Sequence, residues 1–325
     1  MKTAAIIITT VGLVFVNASA KTNIVALQPS DAQFQTVVSS IQSELDTSYH
    51  VDAIDISKPV KTEDVAARCK KNETKALIIM DRQAIKIAEA LQKFDNAFVA
   101  MPKFVYMTLL VEVSAKGLSN AAGIRFEVPI YTLVTNFRII SQTEFLKVGI
   151  FHRKSYTGAI EEAEKLLSKE QISLNPVCVD CEKNGKTTQS DALSVMRKSF
   201  DAMLKEHGAD IFLVPADNLV VNNSSLGEFW IGTVKKKNLP VIASLDMLAN
   251  PSIALAVFTA DPDLQQLGAQ AANQIMGFFE NGTPLGDIGF EPVISIKSTL
   301  NESIAKEIGW KLNAGKLGRI NKIVK

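Results

Sequence analysis

Cysteine, histidine and tryptophan are all scarce in this chain, at three, three and two residues among 325. His50, His152 and His207 are scattered, and none stands at the spacing a zinc site uses. No metal site is expected. Enzyme signatures are missing where they would be easiest to see: no GxSxG, no HExxH, no Walker loop, and no GxGxxG after a first strand. Gln28-Pro29-Ser30 stands where a bound dinucleotide would need a Gly-rich turn for close backbone approach. Catalysis and a cofactor are therefore not expected. Charge of one sign is lacking too, since the formal net charge is +1, which gives no bulk attraction to nucleic acid or to an anionic membrane.

Long apolar runs are absent except at the start, where Lys2 precedes Ala4 to Val16 and then Ala18-Ser19-Ala20. This is the pattern of a secretory leader, with the cut expected before Lys21. An uncleaved anchor is disfavoured because the run falls short of the ~20 residues a membrane span needs. No Cys marks the cut for lipid attachment, so a freely soluble periplasmic protein, not embedded in a membrane, is expected. Lys2 is the leader's only charge, so residues 21–325 balance at zero. That length suits two domains better than one. In an oxidising compartment Cys178-Val179-Asp180-Cys181 fits a small disulfide loop. A redox-active pair is the alternative, although such pairs open helices and this one follows a strand-like segment.

From Asn23 onward, short β-branched runs alternate with amphipathic stretches, the pattern of strand-helix-strand units in a parallel sheet. Strands are expected at Asn23–Leu27, Val51–Ile54, Ala76–Met80, Phe98–Ala100 and Phe104–Leu109. Helices are expected over the segment ending at Leu45, over Thr62–Cys69 with Thr62 as cap, and from a cap at Asp81 to Leu91. The cycle restarts after Gly123 with helices Tyr131–Ile140, Gly158–Leu167, Asp191–Lys205 and Leu226–Lys236. Its strands are Val148–Phe151, Ile172–Val179, Ile211–Val214, Val241–Ala243 and Ile253–Phe258. A long helix Asp263–Glu280, a strand Glu291–Ile296 and a helix Glu302–Ile308 follow. No low-complexity linker separates the halves, so lobes joined by hinge strands are expected rather than beads on a string.

Several segments in order resemble the substrate-binding proteins of ABC transporters with the type I periplasmic-binding-protein fold, in the group that includes aromatic-amino-acid binders. They are Ala121-Ala122-Gly123-Ile124, Val128-Pro129, Lys147-Val148-Gly149-Ile150, Val214-Pro215-Ala216-Asp217-Asn218, Pro240-Val241-Ile242-Ala243-Ser244 and Leu300-Asn301 with Ile308-Gly309. The resemblance implies an α/β chain of two three-layer α/β/α lobes with parallel sheets joined by hinge crossovers. The division expected is 1–20 leader, 21–124 plus 260–289 for the N-terminal lobe, and 125–259 plus 290–325 for the C-terminal lobe. It implies a small organic ligand, amino-acid-like solutes included, held in an interlobe cleft and delivered to an ABC permease. A membrane sensor as partner, or a degenerate fold acting as a protein-interaction module, is the alternative.

Carried over residue by residue, the contact loops fall on Gln28 and Ser30, on Asp81 and Arg82, on Arg125 and Phe126, on Tyr156 and Thr157, on Asp217 and Asn218, and on Asp246. Each also has a plain structural reading. Ser30 and Asp81 suit helix caps, Asp217-Asn218 suits an ordinary turn, and Tyr156 suits surface cover. Asp246 is the candidate partner for a ligand ammonium. Asp81 and Arg125 depart from the small hydroxyl residues usual in the group, and a buried charge needs a partner across the cleft or on the ligand.

Overall fold

The computed structural model of the chain describes residues 21–45, 47–108, 117–181 and 187–325. The leader, the end of the expected strand Phe104–Leu109 and the segment after Cys181 lie outside the described residues. Among the described residues thirteen strands form two sheets. The first holds β1 (Thr22–Gln28), β2 (Tyr49–Asp55), β3 (Ala76–Met80), β4 (Lys103–Thr108), β5 (Ala121–Arg125) and β11 (Phe290–Pro292) in the order β11-β5-β4-β3-β1-β2. The second holds β6 (Lys147–His152), β7 (Ser173–Cys178), β8 (Ile211–Val214), β9 (Val241–Ala243), β10 (Phe258–Pro262), β12 (Ile296–Asn301) and β13 (Lys322–Val324) in the order β13-β12-β10-β9-β8-β6-β7. Every pairing is parallel except β10 with β12.

Parallel strands covered on both faces read as unbroken apolar runs, because successive side chains serve opposite layers. In β1, Ile24 and Ala26 face Phe34, Val37 and Ile41 of helix α1 (Ala32–Glu44). Val25 and Leu27 face the other way, toward Val65 of helix α2 (Thr62–Lys71) and Ile85 and Ala88 of helix α3 (Asp81–Phe94). The second sheet repeats the device. Val148 and Ile150 join the cluster of Leu133 and Phe137 from helix α4 (Ile130–Ile140) and Ile160 from helix α5 (Thr157–Leu167), whereas Phe151 and Phe212 meet Met196 and Phe200 of helix α6 (Gln189–Lys205). The result is two α/β/α layers of mostly parallel sheet.

Three crossovers join the sheets. β5 ends at Arg125 and leads into α4, β10 ends at Pro262 and leads into helix α7 (Leu264–Phe279) against α1, and β11 ends at Pro292 just before β12. Because β5 and β11 run with their sheet, β10 with its own and β12 against it, all three connections leave from or arrive at carboxyl edges. The two carboxyl edges therefore adjoin the same hinge. Helix α7 clamps that hinge: Gln274 Nε2 donates to the Gly123 carbonyl at 3.1 Å and to Glu291 at 3.0 Å, and Gln270 Nε2 donates to the Pro292 carbonyl at 3.0 Å. Gly123 must lack a side chain, since a Cβ there would collide with the Val105 carbonyl.

Some expected elements take other forms. Phe98–Ala100 belongs to a short helix, Ala97–Ala100, because Asp95 accepts the Ala97 N–H at 2.9 Å and turns the chain. The strand expected over Ile253–Phe258 begins only at Phe258, after Ala254 adopts a left-handed φ of 47°. The single strand expected over Glu291–Ile296 is two, β11 and β12, one in each sheet. Thr62 opens α2 without capping it, Lys61 being the flanking residue. The segment after Ile308, unassigned in the sequence, lays Trp310 across Phe137 and ends in β13.

Candidate functional site

All eleven candidate residues sit at, or a few residues beyond, the carboxyl end of a strand, which places them on the edges that meet at the hinge. They do not form one cluster. On the first rim, Gln28 closes β1 with its side chain buried and Oε1 without a hydrogen-bond partner. Ser30, exposed beside it, meets Ser57 hydroxyl to hydroxyl at 2.8 Å, and its N–H donates to the same oxygen at 2.7 Å. Asp81 follows β3 in a left-handed conformation, φ 82°, and its Oδ1 accepts the Gln83 N–H at 2.8 Å, so it caps the opening turn of α3. Arg82 is exposed on that turn, and Phe126 is half-buried against the core.

The second rim is organised by a residue absent from the expected set, Arg153, immediately after β6. Its guanidinium grips both oxygens of Asp217 and donates to Asn218 Oδ1 at 2.8 Å. Asp217 also accepts the Leu219 N–H at 2.7 Å. The Asp217 side chain is 1% exposed, and a buried carboxylate persists only with such partners. Arg153 carries the same positional signal as its neighbours, the carboxyl end of a buried strand. Thr157 donates from Oγ1 to the Lys154 carbonyl at 2.7 Å, closing the turn before α5. Beside this rim Cys178 and Cys181 form a disulfide, so the close pair is joined, and the remaining thiol, Cys69, is buried.

Asp246 lies at the third place, beyond β9. The ammonium that meets it comes from the chain itself: Lys322 Nζ stands 3.3 Å from Oδ2, and the Thr259 hydroxyl donates to Oδ1 at 3.5 Å. Burial and the nearby Asp246 push the carboxyl of Asp261, on β10, up to about 6.

A cavity of about 530 Å³ lies at the hinge itself. Arg125 and Glu127 of the first crossover, Tyr131 of α4, Tyr156 and Glu162 around α5, and Pro292 of the third crossover are among its lining residues. That volume lies within the range of small-molecule sites, about 300–1,000 Å³. Arg125 and Tyr156 are the expected residues that line it. Glu162, 3.6 Å from the Arg125 guanidinium, was invisible to sequence reasoning because nothing in a helix surface residue announces a partner across a crossover.

A ligand-free, open substrate-binding protein with adhesive properties from Clostridium difficile aligns at a TM-score of 0.64 and 14% identity, over 94% of this chain and 100% of that one. An ABC domain from Streptococcus pneumonia in complex with L-Trp aligns at 0.55 and 15% identity, again over 94% and 100%. The fold is that of the type I periplasmic-binding proteins. A periplasmic ribose ABC transporter protein from Conexibacter woesei shares it at 0.51 and 11% identity, over 90% of this chain and 96% of that one. No protein-family profile matches the sequence, and no curated protein matches it. At these identities the periplasmic-binding fold is what is common. Among the described residues no helix is long and apolar enough to cross a membrane.

Proposed function

We propose that the chain is an exported solute-binding protein that captures a small organic molecule between its two lobes and presents the closed form to a membrane partner, an ABC permease in the first reading. One observation carries this most directly: all three crossovers join carboxyl edges, so two rims bearing polar side chains share one hinge. A ligand touching both rims stabilises the shut form more than the open one, which is all that closure requires. The unpartnered Gln28 Oε1 and the hinge cavity supply room and hydrogen-bonding capacity for such a ligand. The leader-like residues 1–20 support export to the periplasm.

The second reading is a sensor or protein-interaction module on the same fold, favoured by the engagement of Asp217 with Arg153 and of Asp246 with Lys322. Mass spectrometry of material released on gentle denaturation, followed by thermal melting with what it identifies, separates the two. A released solute that raises the melting temperature supports capture, because a ligand specific for the folded state must stabilise it. Protein that releases nothing and melts unchanged across a broad solute library favours the interaction module.

A further inference from the structure

Arg125 is three-quarters buried, its side chain being 25% exposed, yet among the described residues it makes no hydrogen bond. Its Nε is sealed from solvent without a partner. Its one ionic contact among the described residues is Glu162, at 3.6 Å too long for a hydrogen bond, on a carboxylate 59% exposed that can swing away. A guanidinium offers five donors in a planar fork that fits a carboxylate two-pronged. Leaving such a group unengaged at the wall of a cavity is costly unless something enters to meet it. Beyond Arg125 the cavity wall is mostly hydrocarbon: Val128, Ile130, Tyr131, Ala159, Ala163 and Leu166 line it. Glu127, Thr132, Ser155, Tyr156 and Glu162 supply the polar remainder of the lining, and the larger hydrocarbon part covers an aryl or branched alkyl group well.

We infer that the hinge cavity takes an apolar monocarboxylate, with the acid group on the Arg125 fork in place of Glu162 and the hydrocarbon body between α4 and α5. The inference rests on the solute-binding reading and narrows it to a substrate class. Arg125 ends β5 of the first sheet and Glu162 belongs to α5 beside the second. The ligand therefore exchanges a loose ion pair across the hinge for a closer one, and its binding is coupled to the angle between lobes.

Thermal melting and calorimetry of the purified protein with 3-phenylpropionate, 4-methylpentanoate, 3-phenylpropionamide and ribose test this. The two carboxylates are expected to raise the melting temperature in proportion to the logarithm of their concentration, and the amide and ribose to leave it unchanged. Arg125→Gln should weaken carboxylate binding at least tenfold while keeping the circular dichroism spectrum of the parent. Glu162→Gln should strengthen it severalfold, because a competing carboxylate is removed. Weaker carboxylate binding in Glu162→Gln would mean that Glu162 holds the Arg125 fork in place instead of competing for it, and overturns the exchange. Unchanged binding in Arg125→Gln overturns it equally. A shift with ribose and none with the carboxylates refutes the class and leaves solute capture standing, and no shift with any of the four refutes this use of the cavity, while a solute released on denaturation would still support capture.

Discussion

Arg153 and Asp217, 64 residues apart in sequence, close a two-pronged ion pair at the rim of the second lobe, with the carboxylate almost wholly buried. Removing the cation strands a buried charge, a change that typically costs about 3–5 kcal/mol. Arg153→Met is expected to lose roughly that much in urea unfolding. Asp217→Asn removes the charge and keeps an acceptor for the Leu219 N–H, so its loss should be smaller. Equal losses would mean that the pair's geometry matters and its charge does not.

Lys103 is fully buried on β4, where Nζ donates to the carbonyls of Phe98 at 2.6 Å, Met101 at 2.9 Å and Ser119 at 3.0 Å. Burial pulls its ammonium from 10.5 down to about 8. Between those values the unfolded chain holds a proton that the folded chain has released, so this residue makes stability rise with pH across about 8 to 10.5. Denaturation midpoints at pH 7, 8.5 and 10 should show the rise, and Lys103→Met should flatten it. Losing the donor strands three carbonyls, so the variant is expected to be less stable at pH 7 by about 1–3 kcal/mol.

Asp261 behaves in the opposite sense. Its carboxyl is raised from 3.8 to about 6 by burial and by Asp246. The cost of its charge is fully present above about pH 6 and is relieved as pH falls toward 3.8, where both states hold the proton. Asp261→Asn is therefore expected to stabilise the protein at pH 7.5 by on the order of 1–2 kcal/mol, with the gain vanishing near pH 4. A gain that persists at pH 4 would assign the effect to packing.

Much of the fold was legible because burial on both faces imposes a pattern that survives in one dimension: Ala76–Met80 is apolar throughout since each residue serves one layer or the other. The failures came where one residue redirects the backbone. Asp95 converts the strand-like Phe98-Val99-Ala100 into a helical turn, and the left-handed Ala254 delays β10 although Leu255, Ala256 and Val257 are as buried as any strand. At the site, the strand ends could be read and the pairings could not. Arg153 with Asp217, Lys322 with Asp246 and Arg125 with Glu162 depend on sheet order and crossover geometry, which no spacing encodes.

The Cys178–Cys181 disulfide encloses a loop of minimal length, with a sequence separation of 3. Chain-entropy reasoning gives so short a loop about 2 kcal/mol. Reduction with dithiothreitol is expected to lower the unfolding free energy by no more than that while leaving the far-ultraviolet circular dichroism unchanged. Loss of the folded spectrum would show that the bond organises the rim rather than trimming one loop.

The late strand β11 and the helix α7 belong to a sheet whose other strands are finished by Arg125. A ribosome must therefore synthesise nearly the whole second sheet before the first acquires its last edge and the cover over α1. The N-terminal half cannot mature alone as the chain emerges, and fragments cut between residues 125 and 264 should be sticky, protease-sensitive species.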